Sequence, residues 1–198
     1  MKIHDISQEV FGCDVYPGDP KPIKTKISSI PDGDLYNLSS FSMCAHNGTH
    51  VDAPAHFLKD GGTVSDIPLE RLVGYAYVTK FDGEISENDA KAILEAAHKE
   101  SKEAAKRILI AGDATVSNEA AEFFAQSGIF LIGNESQSIG PTDAPMAAHL
   151  ALLSQGIVLL EGIRLTDIPD GVYLLSAAPI NLGDLEGAPC RAILIELD

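Results

Sequence analysis

Residues 43 to 57 read Met-Cys-Ala-His-Asn-Gly-Thr-His-Val-Asp-Ala-Pro-Ala-His-Phe, which sets His46, His50, Asp52 and His56 close together. Asn47-Gly48 and Pro54 oppose a helix, so Thr49 to Ala53 reads as a short strand with His50 and Asp52 on one face. A turn at Asn47-Gly48 could bring His46 beside them. Two imidazoles and a carboxylate suit zinc or manganese and leave coordination positions for water and substrate, as catalytic rather than structural sites do. A cation held there would polarise a carbonyl and lower the pKa of water toward neutrality. His56, a few residues on, is placed to shuttle the proton. Any one of these histidines alone reads more readily as a hydrogen-bonded structural residue; the clustering is what points to a metal. His4 and His98 read as surface or packing residues.

Other chemically capable residues have plainer explanations beside the functional one. Cys44 lies two positions before His46 and could face the same site as a soft ligand, although a cysteine is more often a small buried hydrophobe. Asp113 and Glu135 follow strand ends, where α/β active sites collect, but solvated loop acids account for them equally well. Glu95, Lys99, Glu103 and Lys106 repeat at near-helical spacing and read as a solvated, side-chain-paired face. Cys13, Cys44 and Cys190 are odd in number and widely spaced, which fits reduced thiols.

The elements that must carry these residues change character along the chain. The first 80 residues are rich in Gly, Pro and polar turns, with β-type runs at 25–27 and 75–79. From Ser86, a cap with Asp89 at the capping-box position, an Ala, Lys and Glu-rich helix is expected to about Lys106. A strand at Arg107 to Ala111, a helix at Ser117 to Gln126 and a strand at Ile129 to Ile132 follow. A further helix is expected around Asp143 to Ser154, with Pro145 in its first turn, leading to a strand at Ile157 to Leu160. The last strand candidates are Val172 to Ser176 and Arg191 to Glu196. Strand-helix-strand alternation favours parallel pairs and the N-terminal turns antiparallel ones, so the fold class is α/β with a mixed sheet.

The chain's 198 residues suffice for a substantial core, and one domain spanning 1–198 is the expectation. With 14 Lys and Arg against 29 Asp and Glu, the net charge of -15 opposes binding to phosphate backbones or anionic lipid. Nucleic-acid and membrane partners are not expected. No apolar run reaches bilayer length and the N-terminus is acidic where a signal peptide would be apolar, so a cytoplasmic protein is expected.

The stretch His46-Asn-Gly-Thr-His50-Val-Asp52-Ala-Pro54-Ala-His56-Phe57 resembles the signature of the cyclase family, which includes bacterial kynurenine formamidase (arylformamidase) and isatin hydrolase. The likeness continues through His4-Asp5-Ile6-Ser7, Tyr16-Pro17-Gly18-Asp19, the segment 133–141, and His149 followed by residues 156–162. Gly187-Ala-Pro189-Cys-Arg191-Ala closes it. The resemblance implies a compact α/β domain of swivelling β/β/α type, assembled as a homodimer or homotetramer. It implies that His46, His50 and Asp52 hold one ion, that Asp52, His149 and Glu161 hold a second, and that Glu161 touches both. His56 would be the proton donor and acceptor. Isatin hydrolase-like members are similar but work with a single manganese, so one or two ions of zinc or manganese per subunit are implied.

The expected reaction is hydrolysis of a C–N bond in a small amide by metal-activated water. An aryl formamide such as N-formylkynurenine or a cyclic amide is the expected substrate. The alternatives are a cyclase or lyase that stabilises an enolate on the same metal, and a non-catalytic metal- or ligand-binding module, which would have no use for His56. Tyr16 stands where related formamidases carry a Trp that packs on the substrate ring. It is therefore the substrate-binding candidate, with a turn aromatic covering the core as the other reading. Asn134 and Ala111-Gly112-Asp113 also depart from the family pattern, and the absence of Trp leaves less aromatic material for a tryptophan-derived ligand.

Overall fold

The alternation of side chains between two apolar clusters along the central strands is the simplest route into the architecture. In the run Arg107 to Ala111, Ile108 and Ile110 pack in one apolar cluster while Leu109 packs in another on the opposite face. A strand buried on both sides in this way belongs at the centre of a sheet. The computed structural model describes residues 1–196 and contains that sheet. Its strands and the shorter ones beside it are β1 (Lys2–Asp5), β2 (Ile23–Ser28), β3 (Leu38–Ser42), β4 (His50–Asp52), β5 (Val73–Lys80), β6 (Gly83–Ile85) and β7 (Arg107–Ala111). They continue as β8 (Ala114–Val116), β9 (Leu131–Asn134), β10 (Val158–Glu161), β11 (Gly171–Ser176), β12 (Gly187–Pro189) and β13 (Ile193–Glu196). The α-helices are α1 (Leu69–Leu72), α2 (Glu87–Glu100), α3 (Asn118–Gln126) and α4 (Met146–Leu153).

Nine strands form one curled mixed sheet in the order β1-β13-β11-β5-β7-β9-β10-β4-β12. The pairs β5·β7, β7·β9 and β9·β10 are parallel, and the strands on either flank join antiparallel. Helices α2, α3 and α4 cover one face, over Ile93, Ile108, Phe124, Ile132 and Leu152. The other face encloses a second cluster that includes Val51, Leu72, Val78, Leu160 and Leu194. Strands β6 and β8 form a small parallel pair, and β2 with β3 an antiparallel hairpin attached to neither sheet.

The expected mixed α/β fold is therefore present, with differences at element boundaries. The helix expected to reach Lys106 ends at Glu100, because Ser101 turns extended and its hydroxyl accepts from Ala104 N to start a separate 3-10 turn at Ala104–Lys106. Lys106 thus pairs with Glu103 at 2.7 Å off the helix. Pro145 caps α4 from outside its first turn, and residues 141–144 form a tight turn, so α4 starts at Met146 and not at Asp143. The strand expected from Ile129 starts at Leu131, and the one expected from Arg191 starts at Ile193, after Cys190 has bridged to Pro179. Strands β1, β6, β8 and β12 and helix α1 are too short to leave a periodic signal. No helix among the described residues is long and apolar enough to cross a membrane.

Candidate metal centre

Strand β4 is three residues long and wholly buried, with β10 on one side and β12 on the other. Its register sets Glu161 directly across from His50 and Leu159 across from Asp52. Because side chains alternate, Val51 and Leu160 enter the core cluster away from the helices, while His50, Asp52 and Glu161 turn toward them. Helix α4 lies on that side, and His149 in its first turn faces the same spot. Gly48, at φ 66°, makes the left-handed turn that folds His46 back beside His50, with their rings 5.1 Å apart. A Cβ at Gly187 would lie 2.5 Å from His46 Cε1, so only glycine leaves room for that ring.

Five of the predicted residues thus converge. His46 Nδ1 is 2.8 Å from Asp52 Oδ1, and His50 Nε2 is 3.4 Å from both Asp52 Oδ1 and Glu161 Oε2. On the other side, His149 Nε2 lies 3.2 Å from Glu161 Oε1 and 3.8 Å from Asp52 Oδ2. Each carboxylate turns one oxygen to each side, so Asp52 and Glu161 both span the two groups. Ligand bonds of about 2.0–2.2 Å around a tetrahedral ion separate neighbouring donors by roughly 3.3–3.6 Å, which is close to the spacings found. His46, His50 and Asp52 form one group able to hold a metal ion, and Asp52, His149 and Glu161 form another.

The surrounding hydrogen bonds favour a cation. His50 Nδ1–H donates to the Gly48 carbonyl at 3.0 Å and His149 Nδ1–H to the Pro145 carbonyl at 2.7 Å. Both therefore turn the lone pair of Nε2 into the cluster, as ligating histidines do. Ile139 N donates to Glu161 Oε1 at 2.7 Å. Asp52 is fully buried, yet its Oδ2 has no hydrogen-bond partner. An orphaned buried carboxylate oxygen is costly unless something positive meets it.

Titration behaviour in the metal-free protein follows. Burial acts against the charge on His46, but the hydrogen bond and charge of Asp52, with help from Glu161 and Glu186, push it up to about 9. His50 and His149 are likewise raised: burial opposes, and Glu161 and Asp52 prevail. Burial would raise Asp52, but the His46 hydrogen bond and the neighbouring imidazoles hold it well below the carboxylate range. Glu161 is lowered too, with burial and Asp52 opposed by His149 and His50. His56 differs, since burial, with His46 and His149 nearby, pushes it below its ordinary value despite Asp52.

His56 sits on the 3-10 turn Pro54–His56 that breaks away from β4, stacked on His46 at 4.0 Å with its Nε2 4.0 Å from Asp52 Oδ2. Its side chain is 29% exposed against 1% for His50, so of the two it is the one that meets solvent. A cavity of about 300 Å³ opens over the cluster, and Tyr16 and Cys44 line it with His56. Cys44 thus faces the site, although its thiol is directed at Asp19 Oδ2, 3.8 Å away. Asp113 and Glu135 line a different cleft. His4 packs edge-on against Tyr173, and His98 bonds the Leu94 carbonyl in its own helix.

Three contributors were not legible in advance. Phe57 stacks on His149 at 4.6 Å, Glu186 Oε1 lies 3.4 Å from His46 Nε2, and Gly187 makes the space described above. Phe57 and Gly187 lie inside the motifs already noted, but no spacing rule marks their contacts.

Comparison with known proteins agrees with this geometry. Residues 4–141 match the family described as "Putative cyclase". Kynurenine formamidase of Erythrobacter litoralis is 32% identical over 99% of this chain and 94% of its own length. A solved structure described as a potential metal-dependent hydrolase with cyclase activity superposes with a TM-score of 0.83 at 27% identity, covering 100% of this chain and 98% of that one. Isatin hydrolase A of Labrenzia aggregata shares the fold, with a TM-score of 0.82 at 22% identity over 98% of this chain and 93% of its own.

Proposed function

Since the chain belongs to the cyclase family, we propose that it is a metal-dependent hydrolase of small amides, with the buried cluster around Asp52 as its active centre. The observation that carries this reading is the fully buried Asp52, ringed by four imidazoles and Glu161 with one oxygen unpartnered. His46, His50 and Asp52 would hold one ion, and Asp52, His149 and Glu161 a second, zinc or manganese in either place. A divalent cation, when bound, supplies Lewis-acid polarisation of the amide carbonyl and acidifies water.

The chain's own residues do the rest. His56 accepts the proton of the attacking water at Nε2 and returns it to the leaving nitrogen, for which it needs the partial solvent access it has. The Gly48 and Pro145 carbonyls hold His50 and His149 in the tautomer that turns Nε2 inward. Tyr16, on the cavity wall, offers its ring to an aryl or cyclic substrate. Aryl formamides, N-formylkynurenine among them, and cyclic amides are the substrate classes this favours, because both pair a planar ring with a scissile C–N bond.

The test is metal analysis of the purified protein, followed by assay of the metal-loaded form on aryl formamides, cyclic imides and lactams. Turnover that disappears on chelation and returns with metal is the expected result. A fully loaded protein inert toward the whole panel would sink the hydrolase reading.

A further inference from the structure

His50 and His149 each give their outward ring proton to a backbone carbonyl, that of Gly48 and of Pro145. His46 has no such carbonyl. Its Nδ1 lies 2.8 Å from Asp52 Oδ1, inside one of the groups able to hold an ion, so Nε2 is the nitrogen turned away from the cluster. That Nε2 is buried without a hydrogen bond, and the acceptor facing it is Glu186 Oε1 at 3.4 Å. A buried donor left unpaired is costly, and bringing this pair to bonding distance takes a shift of roughly 0.5 Å. The Glu186 side chain, 41% exposed, has room for that shift, while its backbone is pinned: Ala53 N donates to its carbonyl at 2.8 Å, and Gly187 pairs with Asp52 in the next register position.

We propose that Glu186 is a positioning residue of the metal centre, its carboxylate accepting the Nε2–H of His46 and so fixing the tautomer that directs Nδ1 at the ion. The proposal rests on the metal-dependent reading above. A carboxylate in this place does more than the carbonyls behind His50 and His149, because it draws the ring toward imidazolate and makes Nδ1 a stronger donor. His56 stacks on the same ring at 4.0 Å, so the contact that holds His46 also holds the surface against which the proton-carrying imidazole lies.

Competition with a chromophoric chelator reads zinc affinity without any substrate. Glu186→Ala should bind zinc about tenfold to a hundredfold more weakly, and Glu186→Gln, whose amide oxygen still accepts, should fall between it and the wild type. Asp184→Asn, at an exposed acid two residues away, removes the same charge and should match the wild type. In zinc-loaded protein labelled with 15N-histidine, the Nε2–H resonance of His46 should move upfield in Glu186→Gln and exchange away with water in Glu186→Ala, a change that a loss of general stability would not single out. Glu186→Gln, close to the wild type in size, carries both readouts if Glu186→Ala does not fold. Wild-type affinity and an unmoved resonance in the Glu186 variants overturn the proposal. An equal loss in Asp184→Asn overturns it in favour of net charge, and loss of zinc in Glu186→Gln as complete as in His50→Ala overturns it by making Glu186 a ligand. A wild type that binds zinc and hydrolyses no amide, with the Glu186 effects intact, would count only against the amidase reading.

Discussion

Two clefts among the described residues invite comparison, and the smaller one holds the candidate metal centre. The larger, about 680 Å³, lies at the C-terminal ends of β5, β7 and β9, where ligands usually bind in open parallel sheets, and is lined by Asp14, Lys80, Asp82, Asp113, Glu135 and Arg164. Its central groups are already occupied. Glu135 accepts from Gly112 N and Leu165 N, both at 2.6 Å, while Arg164 donates to the Glu135 and Ile163 carbonyls and to Asp14. The cavity of about 300 Å³ over β4 is the reverse, with donors crowded to metal-binding distances and an oxygen of Asp52 left without a partner. Unspent bonding capacity in a dry place, more than volume, locates a site.

The sharpest way to break this comparison is His50→Ala. It should empty the metal site and abolish turnover, since the ring is buried between both carboxylates. A variant that keeps a full equivalent of zinc or manganese after dialysis against chelator would remove the metal centre from β4.

Next in size is His56→Ala, which should keep metal and fold while turnover drops about a hundredfold to ten-thousandfold. Near-normal turnover would refute the proton role, and loss of metal would make His56 a ligand instead.

The pH dependence of the metal-free protein gives a smaller, graded effect. The proton on His46 is held up to about 9, from 6.5, so a cation must displace it. Affinity should therefore climb about tenfold per pH unit across that range, in competition with a chromophoric chelator. Stability runs the other way. A raised folded pKa contributes stability that is complete below 6.5 and lost as pH rises toward about 9, so the metal-free melting temperature should fall over the same window. A flat affinity profile there would mean that His46 holds no proton for metal to displace.

The smallest effect belongs to the larger cleft. Glu135→Ala should cost about 1–3 kcal/mol of stability by stranding two backbone amides, with metal content and kcat unchanged. Lost activity in a folded, metal-loaded Glu135→Ala protein would give the larger cleft a part in catalysis.

Legibility in the sequence followed the range of each interaction. Strands β7 and β10 could be read as continuous apolar runs of strand length, β5 by its aromatic and β-branched residues, and helices α2 and α3 by their serine caps and helix-forming composition. Pro145 misled by one turn, since proline is compatible with the first turn of a helix and with the position just before it. The large hairpin was visible only as a β-type run at 25–27, and nothing in its residues said that it would leave the body of the protein.

What the sequence determined alone is the trio on one short segment. His50 and Asp52 share a face because strand side chains alternate, and Gly48 can take the positive φ that returns His46 to them. Those are local facts of backbone geometry. His149 and Glu161 were linked to the trio only by resemblance, about a hundred residues away. Their arrival depends on the antiparallel register that sets Glu161 opposite His50 and on α4 packing over that face. Register and helix placement are set by burying the apolar clusters on both sides of the sheet, a balance over the whole chain that no local pattern encodes. The same packing decided the unpartnered oxygen of Asp52, because only a closed structure can deny a carboxylate both water and a hydrogen bond.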